Sequence, residues 1–319
     1  MPNYVIAIPS YKREHTLKIR TLATLQSYKI PTSCIYIFVA NKEEHTAYCK
    51  SLDKAYHKQI IIGKVGVKNI RMFMSTYFKE GQHICYMDDD IYGIDEVVFN
   101  SKSKKKLLEK LKDKGLRPTL ENKKKWKKSC QVFVKLKSLD VFLQEGFSVL
   151  KKSGHKLFGI NLVYNPFFCT IKDNEKKHIT YNLKYICGGL CGVINTKNGE
   201  IRHVNDKEDY ERSIRYYLLT GGTVRFNNIS IITKCYKEPG GLQSLGHRDW
   251  NKVDKSAKFL IKAYPGLSSI NTRKKKTDPI TGKPWTEIVL WDKREKKTFG
   301  TIKPIKKTLI KELNKIKYK

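Results

Sequence analysis

The stretch that most constrains this chain is His83-Ile84-Cys85-Tyr86-Met87-Asp88-Asp89-Asp90-Ile91, where five mostly apolar residues run directly into three carboxylates. A short continuous apolar run reads as a buried strand, so the carboxylates stand where that strand ends. In an open α/β sheet, ligands bind outside the carboxyl ends of strands. Three adjacent carboxylates repel one another and fold together more readily around a compensating cation. Mg2+ and Mn2+ are hard ions suited to carboxylate oxygens, and they keep coordination sites for substrate phosphates. The plainer reading, an acidic strand-to-loop turn at the surface, stays open at this point.

The residues before the triplet supply the architecture. Tyr4 to Pro9 reads as a strand, followed by the loop Ser10-Tyr11-Lys12-Arg13 and a helix from about Glu14 to Tyr28, with Leu17, Leu22 and Leu25 near helical spacing. Pro31 ends that element. Cys34 to Ala40 is a second strand with Asn41 after it, Glu43 to His57 a second helix, and Gln59 to Ile62 a third strand. Lys68 to Lys79 is a third helix with Ile70, Phe73, Met74 and Tyr77 on one face, and Gly81 turns the chain into the carboxylate strand. Alternating strands and helices with near-continuous apolar strands predict an α/β fold around a mostly parallel sheet flanked by helices. No GxGxxG follows the first strand and no GxxxxGK[ST] occurs, which weighs against dinucleotide-binding and P-loop folds.

Charge points to a partner. Lys and Arg number 64 against 30 Asp and Glu, a net +34 over 319 residues. Such a surplus implies a polyanionic partner or an anionic surface. Lys-rich compositional bias is the competing explanation, since Asn, Ile and Tyr are also frequent. Ser101 to Ser129 concentrates the charge, with 13 Lys or Arg against three acids. A short basic helix is expected around Leu107 to Leu111. Trp126 inside its lysine cluster can stack on a base while its neighbours meet phosphates; a solvated loop is the alternative. The eight cysteines show no zinc or disulfide spacing, which predicts a reduced, intracellular protein. No signal peptide and no membrane-spanning run is expected.

Beyond the insertion, Ser138 to Lys151 reads as an amphipathic helix and Leu157 to Asn161 as a strand. Gly188-Gly189 inside an apolar run suggests backbone close to a ligand, or a bulge. Asp206 to Tyr210 precedes a helix from Glu211 to Leu219, where acids at a helix start are also explained by capping. Thr223 to Thr233 reads as a strand. A glycine-rich loop, Lys237 to Asp249, carries His247 and Arg248.

In their order along the chain, Ile8-Pro9-Ser10-Tyr11-Lys12-Arg13, Lys68-Asn69-Ile70-Arg71, Asp88-Asp89-Asp90, the Gly-Gly segment and Glu208-Asp209 resemble a GT-A glycosyltransferase. With Thr16-Leu17, they look like the TET-associated family that includes the base J glucosyltransferase. The resemblance spans about residues 4 to 250. It implies a nucleotide-sugar-binding half (1–100) and an acceptor-binding half (131–250), and it leaves the Lys-rich insertion (101–130) and a basic C-terminal extension (251–319) unexplained. It also implies a metal-dependent inverting transferase that moves a sugar from a nucleotide sugar, expected to be a UDP-sugar, to hydroxymethylpyrimidine DNA with Mn2+ or Mg2+. A glycan, protein or lipid acceptor is the second reading, and a non-catalytic nucleic-acid-binding protein the third. Composition and resemblance together suggest a viral source and a host cytoplasm or nucleus.

The same resemblance distributes roles. Pro9, Tyr11, Arg13 and Asn41 line a uridine pocket. Lys68, Asn69, Arg71, Asp89, Gly188 and Gly189 lie along the donor. Asp88 and Asp90 hold the ribose and the metal, with His247 as an additional ligand. Asp209, with Glu208 second, is the general base, kept ionised by the helix dipole. Outside the resemblance, the concentration of charge makes Lys104, Lys105, Lys106, Lys124, Trp126, Lys127 and Arg248 the expected nucleic-acid contacts.

Overall fold

Near-continuous apolar runs need cover on both faces, and the first four strands receive it. Val5–Pro9 (β1), Ile35–Val39 (β2), Gln59–Ile62 (β3) and His83–Met87 (β4) lie parallel in the order β3-β2-β1-β4. Ile6, Ile8, Ile37, Phe38, Ile84 and Met87 are all fully buried. The computed structural model describes residues 2–115, 128–172, 178–234, 240–241, 250–272, 276–277, 282 and 284–292.

Three helical elements connect these strands. The first, α1 (14–27), changes to a π-helical turn over Lys18–Leu22 between two α-helical pieces. The second, α2, is Lys42–Ser51, and the third, α3, is Val67–Tyr77. The second helix is shorter than its sequence suggests. Leu52 is extended and buried, and the Asp53 side chain accepts from the amide of Ala55 to start a 3-10 turn.

Residues 93–263 add Gly93–Phe99 (β5), Ser101–Asp113 (α4), Gln131–Lys135 (β6), Leu139–Ser153 (α5), Leu157–Ile160 (β7), Ile179–Thr180 (β8), Leu190–Ile194 (β9), Glu208–Thr220 (α6), Val224–Phe226 (β10), Ile229–Ile232 (β11) and Trp250–Ala263 (α7), and four short strands between residues 268 and 290 form two small two-stranded sheets. The large sheet has eight strands in the order β3-β2-β1-β4-β9-β7-β10-β8. Beyond β4 it takes β9 antiparallel, with Tyr86 opposite Cys191 and Met87 opposite Leu190. The sheet is therefore mixed and mostly parallel, with helices on its faces.

Strands β5, β6 and β8 were not apparent from the sequence. β5 lies between β11 and β6 and pairs antiparallel with both in a three-stranded sheet ordered β11-β5-β6. The run 223–233, expected as one strand, divides at Asn227-Asn228, so that β10 joins the large sheet and β11 the small one. α4 is longer than the short helix expected around Leu107, and no side chain in it is buried. Among the described residues no helix is long and apolar enough to cross a membrane, and the seven described cysteines are all free thiols.

Candidate active site

The end of β4 is fixed from two sides. The Asp88 amide donates to the Gly189 carbonyl at 3.0 Å. From α1, the Thr21 hydroxyl donates to the Asp88 carbonyl at 2.7 Å and accepts from the Ile91 amide at 3.0 Å, while Thr24 donates to the Ile91 carbonyl at 3.1 Å. One hydroxyl thus spans the turn that carries all three carboxylates.

The three carboxylates have different surroundings. Asp89 points inward and is 6% exposed. It accepts from Ser10 Oγ at 2.6 Å and Arg13 Nη1 at 3.1 Å. Tyr48 OH, which accepts from the Arg13 amide at 3.0 Å, lies 2.6 Å from Ser10 Oγ. Because Ser10 donates to Asp89, Tyr48 donates to Ser10, and the direction of the chain is set. Burial pushes the Asp89 carboxyl up in pKa, against the pull of Arg13 and Ser10. The residue assigned to the donor therefore anchors the loop after β1.

That loop is also tied to α2 and to the segment around Gly240. Asn41 caps α2 by accepting from the Glu44 amide at 2.9 Å, and Glu44 accepts from the Lys12 amide at 2.7 Å. Arg13 Nη2 donates to the Gly240 carbonyl at 3.2 Å, and the Gly241 amide to the Tyr11 carbonyl at 2.9 Å. Pro9 and Tyr11, both half-buried, sit at the end of β1 beside these contacts.

Asp88 and Asp90 have capacity for a ligand. The Asp88 side chain is 39% exposed, and Arg71 Nη2 from α3 meets its Oδ1 at 2.5 Å. Arg71 is buried, yet its Nη1 has no hydrogen-bond partner among the described residues. A buried guanidinium N–H without an acceptor is costly unless a ligand oxygen completes it. Asp90 has a long, 3.8 Å ion pair with Arg13, and its pKa is pushed up to about 7 by burial and by Asp88 and Asp89.

Opposite Asp88 the Gly-Gly segment brings in α6. A Cβ built on Gly188 would lie 2.7 Å from Asp209 Oδ1 and 3.0 Å from Arg71 Nη2. One built on Gly189 would lie 3.7 Å from Asp88 Oδ2 and 2.6 Å from Ile231 Cδ1. The two glycines therefore hold a space shared by Asp88, Arg71 and Asp209.

Glu208 and Asp209 lie in the first turn of α6, one turn earlier than the expected helix start. Glu208 is buried, accepts from Arg202 Nε at 2.9 Å and has Arg71 Nε 3.7 Å away. Burial pushes its pKa up, but Arg202 and Arg71 outweigh this and hold it well below the carboxylate range. Arg202 is itself completed by Glu200 at 2.8 Å and the Gly199 carbonyl at 2.9 Å. Asp209 has weaker partners, Arg212 Nη2 at 3.3 Å and Tyr185 OH at 3.5 Å. Burial and ionised Glu208 push its pKa up, against Arg212. The expectation that the helix dipole keeps Asp209 ionised is thus corrected, because desolvation and the adjacent charge exceed the dipole effect.

The other predicted residues are distributed unevenly. Lys68 Nζ donates to the His203 carbonyl at 3.2 Å and Asn69 to the Val65 carbonyl at 2.9 Å, so both brace the start of α3. Lys104, Lys105 and Lys106 are exposed on α4. His247, Arg248, Lys124, Trp126 and Lys127 lie outside the described residues. Sequence reasoning gave no role to Ser10, although it lies in a quoted motif, and missed Thr21, Tyr48, Arg202 and Arg212, which position the carboxylates from separate elements and carry no local motif.

Among the described residues no three His, Cys, Asp or Glu side chains converge as a metal cage. Asp88 and Asp90 nevertheless fit a hard divalent ion. The partly exposed Asp88 and the under-compensated Asp90 offer oxygen ligands at one strand end. Mg2+ and Mn2+ bind through one or two carboxylates and take the remaining positions from water and phosphate.

No family model matches the chain, and no curated protein matches it. Among solved structures it is similar to the mannosyltransferase PcManGT from Pyrobaculum calidifontis in complex with GDP-Man and Mn2+, at TM-score 0.46 and 9% identity over 87% of this chain and 66% of that one. It is also similar to S. aureus TarS 1-349, at TM-score 0.36 and 12% identity over 72% and 59%. The chain spans less than two thirds of the length of either structure.

Proposed function

We propose that this protein is a GT-A glycosyltransferase that moves a sugar from a nucleotide sugar, a UDP-sugar by its resemblance, to the hydroxyl of a hydroxymethylpyrimidine in DNA. The observation that carries the transferase reading is the convergence of Asp88, Arg71 and Asp209 around Gly188 at the carboxyl end of β4. An inverting sugar transfer needs an anion-stabilising group at the leaving diphosphate and a carboxylate on the acceptor side.

In this reading Arg71, anchored by Asp88, uses its unpartnered Nη1 to meet a diphosphate oxygen. Asp88 and Asp90 would hold the divalent ion, which supplies Lewis-acid stabilisation of the leaving nucleoside diphosphate. Asp209 accepts the proton of the acceptor hydroxyl while that oxygen bonds the sugar's anomeric carbon and the bond to the diphosphate breaks. A base whose pKa is raised toward neutrality is better matched to this transfer than a fully acidic carboxylate. Glu208 keeps Arg71 and Arg202 in place. The net charge of +34 and the exposed Lys104, Lys105 and Lys106 support a polyanionic acceptor.

The test is radiolabelled sugar transfer with Mn2+, offering hydroxymethylcytosine and hydroxymethyluracil duplexes a panel of nucleotide sugars beside an Asp90→Ala variant. Label in DNA that disappears in the variant is the expected result. Donor turnover without DNA label would discard the acceptor, and no turnover with any donor would discard the transferase.

A further inference from the structure

Between the end of α1 and the start of α5 lies a cleft that takes no part in the proposed transfer step. It is an open cavity of about 490 Å3, lined by Ser27, Tyr28, Lys29, Lys135, Lys137 and Ser138 among others. Three lysines line it and no carboxylate does. α5 begins there, 15 residues long and capped by Ser138, so its positive end adds to the ammonium groups. The acid in its first turn, Asp140, has both oxygens engaged, by Tyr4 and Gln144. Asp95, opposite Lys135 across the strands, accepts from Tyr164 OH at 2.5 Å.

A row of rings runs from this cleft to the carboxylate triplet. Lys135 Nζ lies 5.0 Å over the Tyr28 ring. Phe133, two residues earlier on the same face of β6, stacks on Tyr164 at 4.2 Å. Tyr92, near Tyr164, comes two residues after Asp90, and the Arg20 guanidinium lies 4.8 Å over its ring. Tyr92 is 39% exposed and Tyr164 45%. Aromatic faces alternating with cations along a groove suit single-stranded nucleic acid, whose bases stack while its phosphates meet the charges. A lipid surface is served by an apolar plane, whereas a cavity of lysines and hydroxyls suits a discrete anion.

We infer that this cleft binds a backbone phosphate of the acceptor strand, and that Tyr164 and Tyr92 stack unpaired bases between that phosphate and Asp90. The inference rests on the DNA-acceptor reading and gives the strand its path to the site. An unpaired strand is also what a transferase acting on a base needs, because the target must leave the duplex stack.

The test is fluorescence anisotropy of the full chain with a labelled single-stranded oligonucleotide across a salt series. Lys29→Ala/Lys135→Ala/Lys137→Ala is expected to weaken binding roughly tenfold and to lower the slope of log affinity against log salt by about 0.7 for each phosphate no longer neutralised. Tyr92→Leu is expected to weaken binding about fivefold or more with the slope unchanged. Lys50→Ala/Lys54→Ala/Lys152→Ala removes the same charge elsewhere; an equal weakening there overturns the cleft assignment. So does binding to phosphatidylserine vesicles that depends on the three cleft lysines while oligonucleotide binding does not. Undiminished sugar transfer to DNA by a cleft variant that melts like the wild type sinks the cleft alone. Absence of any transfer, with oligonucleotide binding still weakened in the cleft variant, sinks the transferase reading and leaves the cleft standing.

Discussion

Glu208 and Asp209 are consecutive on α6, yet Glu208 is held ionised by Arg202 at 2.9 Å whereas Asp209 meets Arg212 only at 3.3 Å and tends to keep its proton. The two residues therefore act on stability with opposite sign. Glu208, with its depressed pKa, contributes stability above the ordinary carboxylate range of about 4.3 and loses it as pH falls. Asp209, with its raised pKa, contributes only at low pH and loses that contribution as pH rises. At pH 7 Asp209→Asn is expected to raise Tm slightly. Glu208→Gln is expected to cost about 3–5 kcal/mol, because it leaves Arg202 and Arg71 buried with too little counter-charge. Thermal melts of the two variants check both signs.

The same pair predicts a pH profile. Transfer is expected to rise with pH through and above neutrality as Asp209 loses its proton. Asp209→Asn is expected to abolish that rise and to lower kcat by about 10²–10⁴-fold. A variant that retains the rise would move the base elsewhere.

Gly188→Ala is a test of shape. No backbone strain is involved, since the residue is not in the left-handed region, but the new methyl would press on Asp209 Oδ1 at 2.7 Å and Arg71 Nη2 at 3.0 Å. We expect kcat to fall by about 10²-fold, as a displacement of catalytic groups by under an ångström does, with circular dichroism unchanged. Normal turnover would show that Asp209 and Arg71 do not work from these positions.

Thr21→Val removes the hydroxyl that spans the carboxylate turn. It leaves the buried Ile91 amide without its acceptor, at a cost of about 1–3 kcal/mol. Loss of Mn2+-dependent activity beyond what the change in stability explains would tie α1 to the placement of the carboxylates, and denaturant titration beside steady-state kinetics separates the two effects.

A divalent ion that binds only the folded chain stabilises it by about 2.7 kcal/mol at a hundredfold excess over its Kd. Mn2+ is therefore expected to raise Tm reversibly, with EDTA removing the increase. Asp90→Asn should abolish the shift. A shift that persists in Asp90→Asn would exclude this carboxylate as a ligand.

The first four strands were legible because buried parallel strands leave long apolar runs, such as Ile35 to Val39, that few other structures produce. β5 was hidden because its buried residues, Ile94 and Val97, stand three apart with partly exposed Asp95 and Glu96 between them, which breaks the two-residue period of a strand directly after an acidic turn. The triplet stood out as a motif, but its division into an anchoring Asp89 and two available carboxylates depends on Ser10, Arg13 and Tyr48, which are distant in sequence. Likewise the contrast between Glu208 and Asp209 comes from Arg202 and Arg71, and neither spacing nor helix position encodes it.

The pairing of β4 with β9 has a consequence for how the chain must fold. More than a hundred residues separate Met87 from its partner Leu190. Until β9 arrives, the strand carrying the carboxylates is an open apolar edge, the kind that recruits other chains. Closing so long a loop makes this pairing a late and slow one. A chain interrupted before residue 190 is thus expected to aggregate, and the carboxylates meet Asp209 only once the whole sheet has closed.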